Sequence, residues 1–188
     1  TEILECDLEN EIKRKDLVSK IKSKYKNKNI LVNTAAFVGT TNLQGWNTVF
    51  SKQKIDTWRR AIEVNLTSIF DVSQGLVPLM NKSKNPTIIN IISTYGIYGP
   101  DWKIYGKTKM GNPAAYAASK GGLLQLSRWM ATTLAPKIRV NCITPGGIFR
   151  NQNSNFVKKY KNKTPLNRMA TEEDFIGVIA LLASDHSL

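Results

Sequence analysis

Three short apolar runs, separated from one another by segments of helical periodicity, constrain the fold of this chain most strongly. The runs are NILVNTAA at residues 29–36, TIINIIS at residues 87–93 and IRVNCITPG at residues 138–146. Contiguous apolar residues of this kind are typical of parallel strands with both sheet faces covered. We therefore expect three buried strands, and the apolar opening segment TEILECDL predicts a further one.

Four helices are predicted between and after these strands. They lie at residues 13–28, which are rich in lysine, and at residues 56–80, 114–134 and 172–184. Strand and helix thus alternate along the whole chain. This order predicts a doubly wound α/β fold with a parallel sheet in a three-layer arrangement, formed by one domain over residues 1–188.

The carboxyl ends of the predicted strands are the expected place for function. In open parallel sheets ligands bind beyond these ends, where loops carry the chemistry. The rule directs attention to four residues, which are Asp7, Asn33, Ser93 and Pro145.

The charge of the chain is strongly basic, with 27 Lys and Arg against 14 Asp and Glu and a net charge of +13. Many of the cations fall in the helix predicted at residues 13–28, where Leu17, Val18 and Ile21 share one side and the lysines form a solvated face. The interleaved aromatic residues of a nucleic-acid surface are missing there. We expect a small-molecule substrate as partner and no nucleic acid.

Membrane and metal partners are not expected either. No apolar run approaches the ~20 residues that cross a bilayer. Cys6 and Cys142 lie in apolar segments without the spacing of metal ligands. The absence of a secretory signal and the use of cysteine favour a reduced, cytoplasmic setting.

Tyr116 and Lys120 are the first candidates for catalysis. They are four residues apart in AAYAASKGG, which places them on one face of a helix, one turn apart. An ammonium group beside a phenol lowers the pKa of the tyrosine toward neutrality, where a general acid or base works best. An interfacial tyrosine beside a solvated lysine is the alternative.

Two further polar residues extend this set. Ser93 ends the second buried strand, so that its hydroxyl can meet a substrate oxygen at the carboxyl edge; the alternative is a strand cap. Asn65 lies inside the helix predicted at residues 56–80. Asparagine is a poor helix former, so its position there needs a reason. Its alternative is an amide that bends the helix.

Five motifs occur together in this chain. They are NTAA at residues 33–36, Val64 with Asn65, NIIS ending at Ser93, YAASK at residues 116–120 and RVNCITPGGI at residues 139–148. Their order and spacing resemble the short-chain dehydrogenase/reductase family over nearly the whole chain. The resemblance implies a Rossmann-like fold and hydride transfer between NAD or NADP and a carbinol–carbonyl pair.

The resemblance also implies roles for individual residues. Tyr116 resembles the proton donor or acceptor, and Lys120 the residue that lowers its pKa and binds the nicotinamide ribose. Ser93 resembles the residue that orients the substrate oxygen, and Asn65 the anchor of a proton-relay water. The positions that resemble cofactor contacts are Asp7 and Leu8 at the adenine, Asn33, Ala35 and Val64 along the dinucleotide, and Pro145, Gly146 and Ile148 at the nicotinamide.

The sequence departs from the family at its start. The glycine-rich turn that seats the pyrophosphate is not among these residues, and the chain opens at what resembles the third strand. We therefore expect an incomplete fold that lacks the first two βα units and the last strand. The residue that would choose between NAD and NADP lies in that expected missing part, which leaves the cofactor open.

A second departure lies between Ser93 and Tyr116, which are separated by 22 residues. We call residues 97–113 the insert. Its Tyr98, Trp102 and Tyr105, together with lysines, suit a sugar or an anionic nucleotide-linked group, as in bacterial surface-sugar pathways. A loop-closing apolar patch or a subunit contact is the alternative.

The basic segment at residues 150–168 lies where the family has a mobile substrate lid. Two interpretations are open: the segment steers an acidic substrate to the site, or it is a solvated loop.

Two rival functions remain open at this point. A sugar-nucleotide epimerase or dehydratase with tightly bound NAD resembles the same fold and also uses a Tyr-Lys pair. A dinucleotide-binding scaffold without activity is the other. The resemblance further implies a homodimer or homotetramer that pairs through the helices predicted at residues 56–80 and 114–134.

Overall fold

Three parallel strands form the centre of the molecule in a computed structural model, which describes residues 2–38 and 43–188. The strands are β1 (Ile30–Asn33), β2 (Thr87–Ile91) and β3 (Arg139–Ile143), in the spatial order β1-β2-β3. Asn33 lies opposite Asn90 in the first pair, and Asn90 lies opposite Cys142 in the second. The predicted Rossmann-like α/β fold with a parallel sheet is confirmed.

The helices follow the predicted order. Their bounds are α1 Glu11–Lys24, α2 Ile55–Ile62, α3 Ser68–Met80, α4 Trp102–Tyr105, α5 Ala114–Leu134, α6 Ser154–Lys163 and α7 Ile176–Ala183. A π-helical turn, Glu63–Thr67, joins α2 to α3, so the helix predicted at residues 56–80 is one continuous helical segment with an irregular middle. The last helix begins with a 3-10 turn, Glu172–Phe175. Helices α4 and α6 were not among the sequence predictions.

One face of the sheet is fully covered. Helices α3 and α5 place Met80 and Met130 against Ile88 of β2 and Val140 of β3, while α1 contributes Val18 to a neighbouring apolar cluster. A polar ladder crosses the same face. The amide of Asn33 donates to Asn90 at 2.8 Å, and the amide of Asn90 donates to Ser127 at 2.9 Å.

The other face is covered only in part, and this corrects one prediction. Ile30 and Val32 of β1 remain 46% and 36% exposed, so β1 is not buried on both faces. Among the described residues, the helix on that face is α7, and it packs on β2. Its end is fixed by Arg139, whose guanidinium donates to the carbonyls of Leu182 and Ser184.

The opening segment is a second correction. Residues 2–8 form no strand, although the apolar pattern TEILECDL predicts one. A strand exists only through hydrogen bonds to a neighbour, and no described strand lies beside this segment.

Helix α1 has the solvated lysine face that its sequence predicts, with one exception. Arg14 is only 2% exposed, and its guanidinium lies 2.7 Å from both Asp71 and Glu63. It also donates to the carbonyl of Leu8 at 2.6 Å. This residue therefore fastens α1 to the π-turn and to α3.

No helix within residues 2–38 and 43–188 combines the length and the apolarity needed to cross a lipid bilayer.

Candidate active site

A cavity of about 660 Å³ opens at the carboxyl ends of β2 and β3, where the sequence places the candidate residues. Six of the predicted site residues line it: Ser93, Tyr116, Lys120, Pro145, Gly146 and Ile148. The structure thus brings together residues from the end of β2, from α5 and from the loop after β3. Their roles in chemistry remain predictions.

Lys120 is held tightly at the floor of this cavity. Its side chain is 2% exposed, and its ammonium group donates to the carbonyl of Ile91 at 2.8 Å. Burial lowers the pKa of Lys120 to about 8. The close approach depends on Gly96, because a Cβ there would lie 2.7 Å from the main chain of Lys120.

The pKa of Tyr116 moves in the direction opposite to the sequence prediction. Burial raises the pKa of this phenol, and the hydroxyl of Ser93 acts in the lowering direction. The expected lowering of the Tyr116 pKa by Lys120 is not found, and the ammonium group of Lys120 is instead engaged with the carbonyl of Ile91. In the free protein Tyr116 is therefore a protonated phenol that can donate.

Ser93 combines the two interpretations that its sequence position left open. Its hydroxyl accepts a hydrogen bond from the amide of Tyr95 at 3.2 Å and so caps the turn Thr94–Gly96. The side chain is nevertheless at the cavity wall, beside Tyr116. The capping bond occupies only a lone pair of the hydroxyl oxygen, so the single O–H of Ser93 can donate either to Tyr116 or to a ligand.

Asn65 lies behind the cavity in the π-helical turn and is completely buried. Its Oδ1 accepts from the amide of Phe37 at 2.5 Å, and its Nδ2 donates to the carbonyl of Phe37 and to Ser119. Single π-turns are frequent at functional sites. The side chain of Asn65 thus joins the loop after β1 to α5, and its relay role stays a prediction.

The remaining predicted cofactor positions do not line the cavity. The amide of Asn33 is engaged with Asn90, which leaves the backbone of Asn33 and Ala35 for the predicted contact. The main-chain carbonyl of Val64 accepts a hydrogen bond from the side-chain hydroxyl of Ser68 within the helical segment. Asp7 and Leu8 lie near α1, where Asp7 accepts from the amide of Glu9 and Leu8 from Arg14.

Several lining residues were missed by sequence reasoning. They include Trp46, Tyr95 and Asn112. Three cations, Lys109, Lys120 and Arg150, line the cavity, and no carboxylate is among its described lining residues. The Asn-Pro pair at residues 112–113 was a signal for a fixed position before α5, but its pattern indicated only a loop boundary.

The insert and the basic segment after β3 pack on each other. Tyr105 of α4 and Phe156 of α6 are buried with ring centroids 5.3 Å apart. Lys159 of α6 donates to the carbonyls of Lys103 and Gly106. Tyr105 is therefore part of a loop-closing apolar patch, the alternative left open for the insert, while Tyr98 and Trp102 stay exposed.

The described part of the chain contains no group of three or more His, Cys, Asp or Glu residues arranged to hold a metal ion.

A parallel α/β sheet with a cavity at the carboxyl ends of its strands is the arrangement of Rossmann-like ligand-binding folds, and Ser93, Tyr116 and Lys120 lie in that cavity. Residues 1–188 match the family model described as Enoyl-(Acyl carrier protein) reductase. The chain belongs to the short-chain dehydrogenase/reductase family.

Individual relatives agree with this assignment. The 3-oxoacyl-(acyl-carrier-protein) reductase FabG of Thermotoga maritima is 35% identical over 178 residues, which are 92% of this chain and 65% of that protein. Post-translational flagellin modification protein A of Campylobacter coli is 29% identical over 98% of this chain and 77% of its own length. The chain therefore spans 65% of the length of the Thermotoga relative.

A solved structure gives the same result. A short-chain dehydrogenase from Leptospira borgpetersenii with bound NAD+ has a TM-score of 0.85 and 33% identity to this chain. The match covers 98% of this chain and 68% of that one.

Proposed function

We propose that this chain carries the catalytic residues of an NAD(P)-dependent oxidoreductase that interconverts a carbonyl and an alcohol. The observation that carries the proposal is the convergence of Ser93, Tyr116 and Lys120 on one cavity at the carboxyl edge of the sheet. A bound carbonyl oxygen there could accept hydrogen bonds from two hydroxyl groups at once.

The residues around the cavity fit the nicotinamide half of a dinucleotide. Pro145, Gly146 and Ile148 provide an uncharged wall, Lys120 provides a cation, and no carboxylate is among the described lining residues. Tyr116, Lys120 and this wall would hold the nicotinamide riboside, and the backbone of Asn33 and Ala35 would lie along the rest. When bound, the dinucleotide supplies or accepts the hydride. The proposal takes either NAD or NADP.

The protein's own residues would then handle the proton. In the reducing direction Tyr116 donates its phenolic proton to the carbonyl oxygen, while the O–H of Ser93 donates a hydrogen bond to the same oxygen. The cation of Lys120 stabilises the phenolate that is left behind. Burial of Tyr116 keeps the phenol protonated until substrate is present.

The test separates binding from chemistry. Isothermal titration with NADH and NADPH is carried out on the full-length protein, including the expected N-terminal βα units, and on its Tyr116→Phe variant, followed by absorbance at the nicotinamide band. We expect similar binding in both proteins and turnover reduced roughly 100- to 10,000-fold in the variant, the usual share of general acid catalysis. Equal turnover in both proteins, or no binding of either dinucleotide to wild type, would refute the proposal.

For the substrate we propose a polar compound with a negative charge, such as a nucleotide-linked sugar. Support comes from Lys109 at the cavity and from Arg150, whose guanidinium also pairs with Glu172 at 2.6 Å. Uridine diphosphate glucose and acetoacetyl coenzyme A are suitable competing probes, the second chosen because FabG is named for a 3-oxoacyl substrate. Faster turnover of the thioester would reject the sugar proposal.

We also propose a homodimer or homotetramer that pairs through α2, α3 and α5. These helices carry Trp58, Phe70 and Trp129, three large apolar side chains that are at least one third exposed. Light scattering after size exclusion tests this, and Trp129→Glu is expected to shift the protein to a smaller species. A monomeric wild-type protein would contradict the proposal.

A further inference from the structure

Asn112 is a buried amide for which the described residues provide no hydrogen-bond partner. Its side chain is 7% exposed and lies in the wall of the cavity that also contains Ser93 and Tyr116. Neither Nδ2 nor Oδ1 has a hydrogen-bond partner among the residues that the structure describes. Buried polar groups of this kind are rare in folded proteins and call for an explanation.

The backbone around Asn112 is fixed by its neighbours. The amide of Asn47 donates to the carbonyl of Lys109 at 2.6 Å. The side chain of Gln53 accepts from the main-chain N–H of Ala114 at 3.1 Å. Gly111 also lies close to Asn47, since a Cβ at Gly111 would be 2.2 Å from the Oδ1 of Asn47. Asn112 is therefore positioned before any ligand arrives.

Such positioning without a partner is what a recognition site requires. Leaving an amide buried and unpaired costs free energy, whereas a ligand that pairs both of its ends recovers that cost on binding. Structural asparagines in this protein behave differently. Asn65 and Asn90, both fully buried, have partners within the fold.

The chemistry of the carboxamide indicates the kind of ligand. It offers an acceptor oxygen and a donor nitrogen side by side in one plane. Two neighbouring hydroxyl groups match this arrangement, because one can donate while the other accepts. Trp46, which is buried in an apolar cluster with Ala61 and Ala115, also lines this cavity and forms an apolar part of its wall, which suits the C–H groups of such a ligand.

We propose that Asn112 is a substrate-recognition residue whose carboxamide binds two neighbouring hydroxyl groups of a hydroxylated substrate. The inference rests on the proposed function, because the reacting carbonyl must lie beside Tyr116, in the same cavity. Asn112 thereby determines specificity without taking part in proton transfer.

The first experiment needs no substrate. Asn112→Leu replaces the amide by an apolar group of similar shape, and Asn162→Leu makes the same change at an exposed position of α6. If Asn112 serves a ligand, its replacement leaves the melting temperature of the full chain unchanged or raises it, as at other functional sites. A melting temperature well below that of Asn162→Leu would assign Asn112 a structural role and overturn the proposal.

The second experiment measures recognition directly. Binding of trans-cyclohexane-1,2-diol and of cyclohexanol is titrated by NMR in the presence of dinucleotide. Wild type is expected to prefer the diol by roughly ten- to hundredfold, the usual effect of a buried polar pair, and Asn112→Leu to lose that preference. The same preference in the variant, or no preference in wild type, would overturn the proposal.

A dinucleotide also carries neighbouring hydroxyl groups on its ribose rings, and its binding therefore serves as a control. The Kd of NADH is expected to be equal in wild type and Asn112→Leu; a parallel loss would assign Asn112 to the cofactor instead. A different measurement reports failure of the proposed function, namely undiminished turnover by Tyr116→Phe. The diol preference is measured by binding alone, so the two failures can be distinguished.

Discussion

The ammonium group of Lys120 donates a 2.8 Å hydrogen bond to the main-chain carbonyl of Ile91, the last residue of β2. Helix α5 and the central strand are thereby joined at the edge of the sheet where the cavity opens. Because Lys120 is removed from water at this junction, its pKa is lowered to about 8 from the ordinary value of 10.5. Its charge therefore changes within an accessible pH range.

The first prediction concerns stability against pH. Between pH 8 and 10.5 the unfolded chain binds more protons at Lys120 than the folded chain, so the free energy of unfolding rises with pH in this window. Over the whole window the free energy of unfolding is expected to rise by about 3 kcal/mol from Lys120. Urea denaturation of wild type and Lys120→Met at several pH values measures it, and only wild type should show the rise. Equal slopes in the two proteins would contradict the prediction.

The second prediction concerns Gly96. In Gly96→Ala the new Cβ would lie 2.7 Å from the carbonyl carbon and oxygen of Lys120, which belong to helix backbone and cannot easily move. We expect a loss of about 1–3 kcal/mol in the free energy of unfolding and a reduced kcat, because α5 must shift. Gly99→Ala is the matched control, since a Cβ there meets no described atom within 4 Å. Equal denaturation curves for the two variants would refute the argument.

The third prediction concerns Arg14. Arg14→Ala removes a buried guanidinium and leaves Asp71 and Glu63 without their cation. We expect a loss of about 3 kcal/mol, at the lower end for a broken buried pair because both carboxylates are about one third exposed. Lys15→Ala, which breaks an exposed pair with Glu11 on the same helix, should change the denaturation midpoint little. Similar midpoints for the two variants would argue against the buried contacts.

The fourth prediction concerns the contact between the insert and α6. Phe156→Ala removes a buried ring that packs between Tyr105 and Tyr160. Amide hydrogen exchange is expected to accelerate in both Trp102–Tyr105 and Ser154–Lys163, because the two segments share one apolar cluster. Tyr98→Ala, at an exposed position, should leave both unchanged. Acceleration in α6 alone would mean that the insert is held by other contacts.

Much of the fold was predictable because local patterns determine it. The α5 boundaries follow from Pro113 before the helix and from apolar residues at helical spacing through Leu134. Exposure of β1 was not predictable in this way. A contiguous apolar run such as Ile30 to Val32 predicts a strand with both faces covered. It does not indicate which helices of the fold cover them.

The sequence predicted which residues meet at the candidate site, but not their pKa values or hydrogen bonds. The resemblance placed Ser93, Tyr116 and Lys120 together, and all three line one cavity. The pKa of Tyr116 was not predictable, because it depends on the burial of the phenol in the folded protein. The packing of Tyr105 on Phe156 joins residues far apart in the chain, and no local pattern reports such a contact.

The pairing of Asn33 with Asn90 has a consequence for how the strands find each other. These amides lie directly opposite in β1 and β2, and Asn90 in turn reaches Ser127 of α5. If β1 slid by one residue, its amide would turn to the opposite face and an apolar side chain would meet Asn90, leaving a buried polar group unsatisfied. The ladder thus acts against misaligned sheets during folding, a selectivity that apolar residues alone would not provide.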